Sequence, residues 1–211
     1  RVDRFIANSN YVRQRIAKYY RRESVVINPP IDVGRFTVGY GPRSGFVVVS
    51  RLIPYKRVDL AVQACTKLNL PLTIIGDGSE LAKLQAMAGP SVHFAGRLSD
   101  AEIADELGRA QAFIFTADDD FGLTPLEAMA CGTPVIALGK GGATETVVKG
   151  TTGSWFLEQT PESLGEVLQK FNSEDYDPAK IRNHAERYDQ SVFIKKIHKY
   201  VIDQMETYKK G

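Results

Sequence analysis

Eight short apolar runs punctuate this chain of 211 residues, at 4–7, 25–27, 46–50, 72–76, 92–96, 112–116, 134–138 and 154–157. They are rich in Val, Ile and Phe ("FVVVS", "LTIIG", "AFIFT") and continuously apolar rather than alternating. Continuous runs of that length mean strands buried on both faces, as in a parallel sheet. Between them lie amphipathic stretches, "RVDLAVQACTKL", "SELAKLQAMA", "DAEIADELGRA" and "PLEAMAC". Strand and helix in regular alternation predict an α/β fold, a doubly wound parallel sheet flanked by helices with right-handed crossovers.

Helix starts are marked in the residues. Ser99 to Glu102 and Thr124 to Glu127 both fit the capping box, and Pro125 follows Thr124 at the expected first helical position. Thr160-Pro161-Glu162 opens a further helix, and 191–207 reads as an amphipathic C-terminal one. The stretch 27–45, "INPPIDVGRFTVGYGPRSG", is dense in proline and glycine without a period and reads as a linker.

Composition narrows the function classes. Charges nearly cancel (27 basic, 25 acidic, net +2), which gives no case for nucleic acid or for a polybasic membrane anchor. No apolar run approaches the roughly 20 residues that span a bilayer. The start has neither the apolar region nor the cleavage site of a signal peptide, and it reads as mid-domain sequence, a piece of something longer. Cys65 and Cys131 sit in small-residue apolar contexts without CxxC or His neighbours, so buried free thiols in a reducing cytosol are expected.

In an open parallel sheet, ligands bind outside the carboxyl ends of the strands. The loops there are 50–56, 76–80, 96–100, 116–125 and 139–145. "SRLIPYKR" sets Arg51 after a strand and Lys56 at the expected start of the next helix, two cations that suit a diphosphate clamp or simply a charged surface. "GDGSE" holds Gly76 and Gly78 around Asp77, which fits close ligand approach or a helix cap. "GKGG" (139–142) lacks the Walker A spacing, and its glycines fit either close backbone approach to a bound ligand or a tight left-handed turn.

The loop "TADDDFGLTPLEAMACGTPVIA" (116–137) carries most chemistry. Gly122 frees the backbone before a helix start, where outward amides attract phosphate. Asp119 and Glu127, eight residues apart, suit the vicinal hydroxyls of an elongated ligand. Glu127 alternatively serves as the capping-box partner of Thr124, and Asp118, Asp119 and Asp120 as a solvated acidic loop. The triplet also satisfies a D-x-D pattern that holds a divalent metal against a diphosphate in some sugar transferases. With two cations and a helix end available for the phosphates, no metal and no further cofactor is expected. His93, His184 and His198 share no spacing, and no nucleophile elbow appears.

Taken together, "FIANSNYVRQRI", "VVINPPIDVGRF", "VVVSRLIPYKRVDLAV", "LTIIGDGSEL", "VHFAGRLSDAEI", "DDDFGLTPLEAMACGTPVIAL", "GGATETV" and "TTGSWF" resemble, in order, the C-terminal donor domain of the retaining GT-B glycosyltransferases of family 4. "RLIPYKRVDLAV" and "DFGLTPLEAM" are similar to the O-antigen type mannosyltransferases, which use GDP-mannose. The resemblance implies a Rossmann-like donor domain over 31–185, preceded by the end of the N-terminal acceptor domain and hinge (1–30) and followed by a C-terminal helix (186–211). It implies Arg51 and Lys56 on the diphosphate. The amides of Gly122, Leu123 and Thr124 then hold phosphate or sugar, with Gly78 in the donor loops, Arg97 and Leu98 at the base, and Glu127 on the ribose. Asp119 falls where the family has the first glutamate of its paired acids, which touches the donor sugar. It also implies a glycan or lipid-linked acceptor held by the missing domain, and a cytoplasmic protein with peripheral membrane association. The rivals are a UDP-sugar transferase, a noncatalytic nucleotide-sugar binding module, and a metal-dependent phosphoryl enzyme built on the Asp triplet.

Overall fold

The computed structural model describes residues 2–39 and 41–209. Position 40 of the expected linker, and positions 1, 210 and 211 of the expected end segments, lie outside the described residues. The chain opens with a small parallel pair, β1 (Ile6–Ala7) and β2 (Val25–Val26), joined through α1 (Asn10–Tyr20). Ser9 caps α1, its hydroxyl accepting from the amide of Val12.

The main sheet is built from β3 (Phe46–Val49), α2 (Val58–Leu68), β4 (Leu72–Ile75), α3 (Leu81–Met87), β5 (Val92–Gly96), α4 (Asp100–Arg109), β6 (Ala112–Phe115), α5 (Leu123–Ala130), β7 (Val135–Leu138), α6 (Ala143–Thr146) and β8 (Gly153–Phe156). Two helices, α7 (Pro161–Lys170) and α8 (Pro178–Glu186), pack back on it, and α9 (Gln190–Lys209) closes the chain. Strand order is β5-β4-β3-β6-β7-β8, with every neighbouring pair parallel. The order reverses between β3 and β6, which is the topological switch point of a Rossmann-like sheet.

Alternate residues feed two cores. Phe46, Val48, Ile74, Ile114 and Ile136 point to one face and meet α2, α3 and α7 through Leu60, Ala64, Leu84, Leu164 and Leu168. Val47, Ile75, Phe113, Phe115 and Val135 point to the other and meet α4, α5 and α8 through Leu107, Leu126, Met129, Ile181 and Ala185. Burial on both faces is why the strands read as unbroken apolar runs. Cys65 and Cys131 are free and lie one in each core, where burial pushes both thiols up to about 12.

Two expected helix starts are observed. Ser99 and Glu102 form a full capping box at α4, and Thr160 caps α7 with Pro161 as its first residue. The stretch read as a linker is instead fastened to the domain. Ile31, Val33 and Phe36 are buried in the core on the α5 and α8 side, with a 3₁₀ turn at Val33–Arg35. Arg182 of α8 ties it down, donating from Nη1 to the carbonyls of Phe36 (2.7 Å) and Ala130 (2.6 Å) and from Nη2 to that of Val33 (3.1 Å). A segment that follows the contour of two helices buries apolar residues without a period, so its composition alone resembles a linker.

The last helix, α9, has no buried residue, and its Tyr200 and Gln204 line a groove with Arg4, Phe5 and Val25 of the N-terminal unit. No helix among the described residues is long and apolar enough to cross a membrane. Replacing Arg182 with Ala leaves the Phe36 and Ala130 carbonyls without this donor and the Val33 carbonyl with only the Phe36 amide, a loss of about 2–3 kcal/mol. Thermal unfolding of Arg182→Ala is expected to fall by roughly 5–10 °C for a domain of this size.

Candidate functional site

At the switch point the loops after β3 and β6 face each other across the carboxyl edge of the sheet. Lys56 does not begin a helix, as the spacing suggested. It ends a 3₁₀ turn at Pro54–Lys56, and Arg57 takes a left-handed conformation (φ 51°) before α2 starts. The buried Thr116 hydroxyl donates to the carbonyl of Lys56 at 2.8 Å, so the β6 end sets the height of the β3 loop. The ammonium of Lys56 stands 4.9 Å from the Tyr55 ring centre and 5.9 Å from that of Phe115.

A cavity of about 380 Å³ opens beside this loop, lined by Arg51, Gly76, Asp77, Arg97, Leu98 and Thr124 among others. Four predicted donor residues (Arg51, Arg97, Leu98 and Thr124) thus converge on one space. Arg97 and Asp77 approach to 3.6 Å over it. Asp77 is not a helix cap: it accepts from the Gly78 amide at 2.7 Å, and α3 begins after Glu80 without a side-chain cap. Gly78 does not line the cavity. A Cβ there would lie 2.3 Å from the carbonyl oxygen of Leu52, so its bareness lets the loop lie against the β3 loop.

The helix after the acidic loop differs from the sequence expectation. It starts at Leu123, with Gly122 (φ 82°) at the cap position and no side chain capping it. Thr124 is the second helical residue and Pro125 the third, so the capping box does not form. A capping side chain would compete for the amides at 123 and 124, and Gly122 leaves them open at the positive helix end. A Cβ at 122 would also press to 3.1 Å from the Phe115 ring.

Glu127, released from capping, is half-buried one turn in. Burial raises its pKa, opposed by the Arg35 guanidinium, and the Asp100 carboxylate adds a smaller push upward. Arg35, in the stretch expected to be a linker, pairs with Asp100.

The three aspartates separate. Asp119 pairs with Lys56 at 2.5 Å, and neither side chain is more than about a quarter exposed (26% and 16%). Asp120 pairs with Arg15 of α1 at 2.6 Å. Asp118 is exposed to solvent. The "GKGG" loop locks the acidic loop from behind: Gly141 is left-handed (φ 61°), and the Gly142 amide donates to the Asp119 carbonyl at 2.8 Å. A Cβ at 142 would stand 2.2 Å from the Phe121 Cα. Beyond it, Glu145 caps α1 from outside, accepting from the amides of Asn10 and Tyr11 (both 2.9 Å) and from the Asn10 side chain (2.8 Å). Among the described residues, no three carboxylate, imidazole or thiol side chains converge as a metal site.

Residues 41–190 match the model of the family described as glycosyl transferases group 1. The chain belongs to that family. Among relatives of this group 1 glycosyltransferase chain is the GDP-mannose-dependent alpha-(1-6)-phosphatidylinositol monomannoside mannosyltransferase of Mycolicibacterium smegmatis. It is 31% identical over 178 residues, covering 69% of this chain and 47% of the relative. Sucrose-phosphate synthase from Thermosynechococcus elongatus superposes with a TM-score of 0.83 at 21% identity, over 98% of this chain and 59% of that one. Anabaena Alr3699/HepE, solved in complex with UDP-glucose, superposes at 0.82 and 20% identity, over 96% of this chain and 64% of that one. These neighbours are GT-B glycosyltransferases, and they share the fold with this chain. The chain spans about half the length of the curated relatives it matches.

Sequence reasoning did not single out Arg15, Arg35, Thr116 or Glu145. Their partners lie 60 or more positions away in the chain, and no local pattern marks them.

The folded chain holds the Glu127 proton more tightly than the unfolded chain, so ionising Glu127 costs stability. That cost is absent below the ordinary glutamate range, grows as pH rises toward the raised folded value, and is constant above it. Glu127→Gln is therefore expected to stabilise the free chain at neutral pH, with the gain vanishing near pH 4 in denaturant titrations across pH.

Proposed function

We propose that this chain is the donor-binding half of a group 1 glycosyltransferase that moves a hexosyl group, mannosyl from GDP-mannose, to a glycan or lipid-linked acceptor with retention of anomeric configuration. The observation that carries the reading is the convergence of Arg51, Arg97, Leu98 and Thr124 on one cavity at the strand-order reversal, beside an uncapped helix start. Arg51 lines the cavity, and Lys56, paired with Asp119, sits five residues on in the same loop; the reading assigns both to the donor diphosphate. The amides of Leu123 and Thr124 supply neutral donors aimed at the same charge. Glu127 accepts from the ribose hydroxyls, and Arg97 and Leu98 take the base side of the cavity.

In the transfer, an acceptor hydroxyl oxygen bonds to the anomeric carbon while the bond from that carbon to the diphosphate oxygen breaks, its electron pair leaving with the diphosphate. The acceptor's proton passes to the departing diphosphate oxygen, which leaves from the same face that the hydroxyl attacks. Arg51, Lys56 and the α5 amides stabilise the charge growing on the leaving group, the largest single effect a preorganised site of this kind supplies. Acceptor choice belongs to the preceding half of the protein. The choice of GDP-mannose rests on the donor named for the 31% identical mycobacterial relative.

Calorimetric titration of this chain with GDP, GDP-mannose, UDP and UDP-glucose, each with EDTA and with Mg²⁺, tests the reading. Binding of the GDP pair, indifferent to EDTA, is expected. Preference for UDP keeps the donor domain and overturns the mannosyl donor, and binding only with metal overturns the account of the acidic loop. Lys56→Ala is expected to weaken diphosphate binding by about ten- to a hundredfold, and in the full-length protein to abolish transfer, which a noncatalytic binding module would not show.

A further inference from the structure

Asp119 is engaged before any donor arrives. Its carboxylate holds the Lys56 ammonium at 2.5 Å in a setting where both side chains are largely shielded from water. The pose is fixed from two directions: Gly142 donates to the Asp119 carbonyl, and Asp119 Oδ1 accepts from the Asp120 amide at 3.1 Å. On the other side, Thr116 holds the Lys56 carbonyl. The two backbone contacts fix where the side chains start, and the carboxylate cannot swing away from the cation without breaking its bond from the Asp120 amide. A diphosphate approaching Lys56 therefore meets an anion already bound to it.

That anion discriminates between charge states of the ligand. In a nucleotide sugar the terminal phosphate is esterified and singly charged. In a nucleoside diphosphate it is a monoester with a second ionisation near pH 6, close to doubly charged at neutral pH. Repulsion from a shielded carboxylate grows with each added charge and is weakly screened by salt.

We infer that Asp119, through its ion pair with Lys56, sets the preference of this site for nucleotide sugar over the spent nucleoside diphosphate, and so favours release of that product. This rests on the reading above that Lys56 faces the diphosphate. The role differs from a sugar contact: the carboxylate acts on the phosphate charge, and it acts whether or not a sugar is present.

The test is calorimetric titration of the wild-type chain, Asp119→Asn and Lys56→Ala with GDP and GDP-mannose, and with UDP and UDP-glucose as the second pair. Asparagine retains an oxygen for the Asp120 amide, and thermal melts check that each variant is folded. Asp119→Asn is expected to tighten the nucleoside diphosphate by roughly tenfold and to change the nucleotide sugar by less, narrowing the gap between them. If Asp119→Asn leaves the diphosphate unchanged or weakens it, or weakens only the nucleotide sugar, the inference is overturned and a direct sugar contact takes its place. If Lys56→Ala binds the diphosphate as tightly as wild type, the underlying placement of the phosphate fails instead. A charge-independent effect of equal size on both ligands also overturns it.

Discussion

The structure depends on one constraint, that a six-stranded all-parallel sheet must be covered on both faces. Crossovers in such a sheet are right-handed, so helices on opposite faces require the strand order to reverse once. Here the reversal falls between β3 and β6, and it drives the chains leaving those strands apart. The crevice between them is a consequence of covering the sheet, and the candidate site residues occupy the loops that border it. Had β5 been followed by a strand on its own outer side, Lys56 and Asp119 would not meet.

Loop geometry at the crevice is set by close backbone packing. Thr116 reaches the Lys56 carbonyl, Gly142 reaches the Asp119 carbonyl, and the bare Cα of Gly142 admits Phe121. These contacts position the Lys56–Asp119 pair, neither of whose side chains is more than about a quarter exposed. Glu127 is pushed toward protonation by its surroundings, with Arg35 countering, and Lys56 shares its charge with Asp119. A site that keeps charges shielded gives up stability in the free chain and gains stronger electrostatic interaction with a charged ligand, because the field there is weakly screened.

The N-terminal unit is joined to the same loops. Glu145 caps α1 and Asp120 pairs with Arg15, so the two loops that lock one another also carry α1. The acidic stretch thus divides its labour: Asp119 faces the crevice and Asp120 the preceding unit. A run of three aspartates reads as one feature in sequence, but its members serve different neighbours in the fold.

The strands and their layering were legible because burial leaves a periodic mark: "FVVVS" and "AFIFT" are apolar throughout since both pleat faces are covered. The caps at Ser99 and Thr160 were legible because they are local, with partners three residues away. Thr124 fitted the same local pattern and did not cap, since the left-handed Gly122 starts the helix earlier. The buried stretch 31–36 reads as a linker in sequence because its core contacts and its Arg182 staple come from residues about 90 to 150 positions later, and no window of sequence holds both. The sequence by itself determined which segments are strands, that they run parallel, and which loops carry charge, since these follow from local hydrophobic period and composition. Only the tertiary structure decided that Lys56 faces Asp119, that Arg35 opposes Glu127 and that Glu145 holds α1. Those pairings depend on where crossovers place loops in space, and electrostatic interaction falls with distance through space, not along the chain.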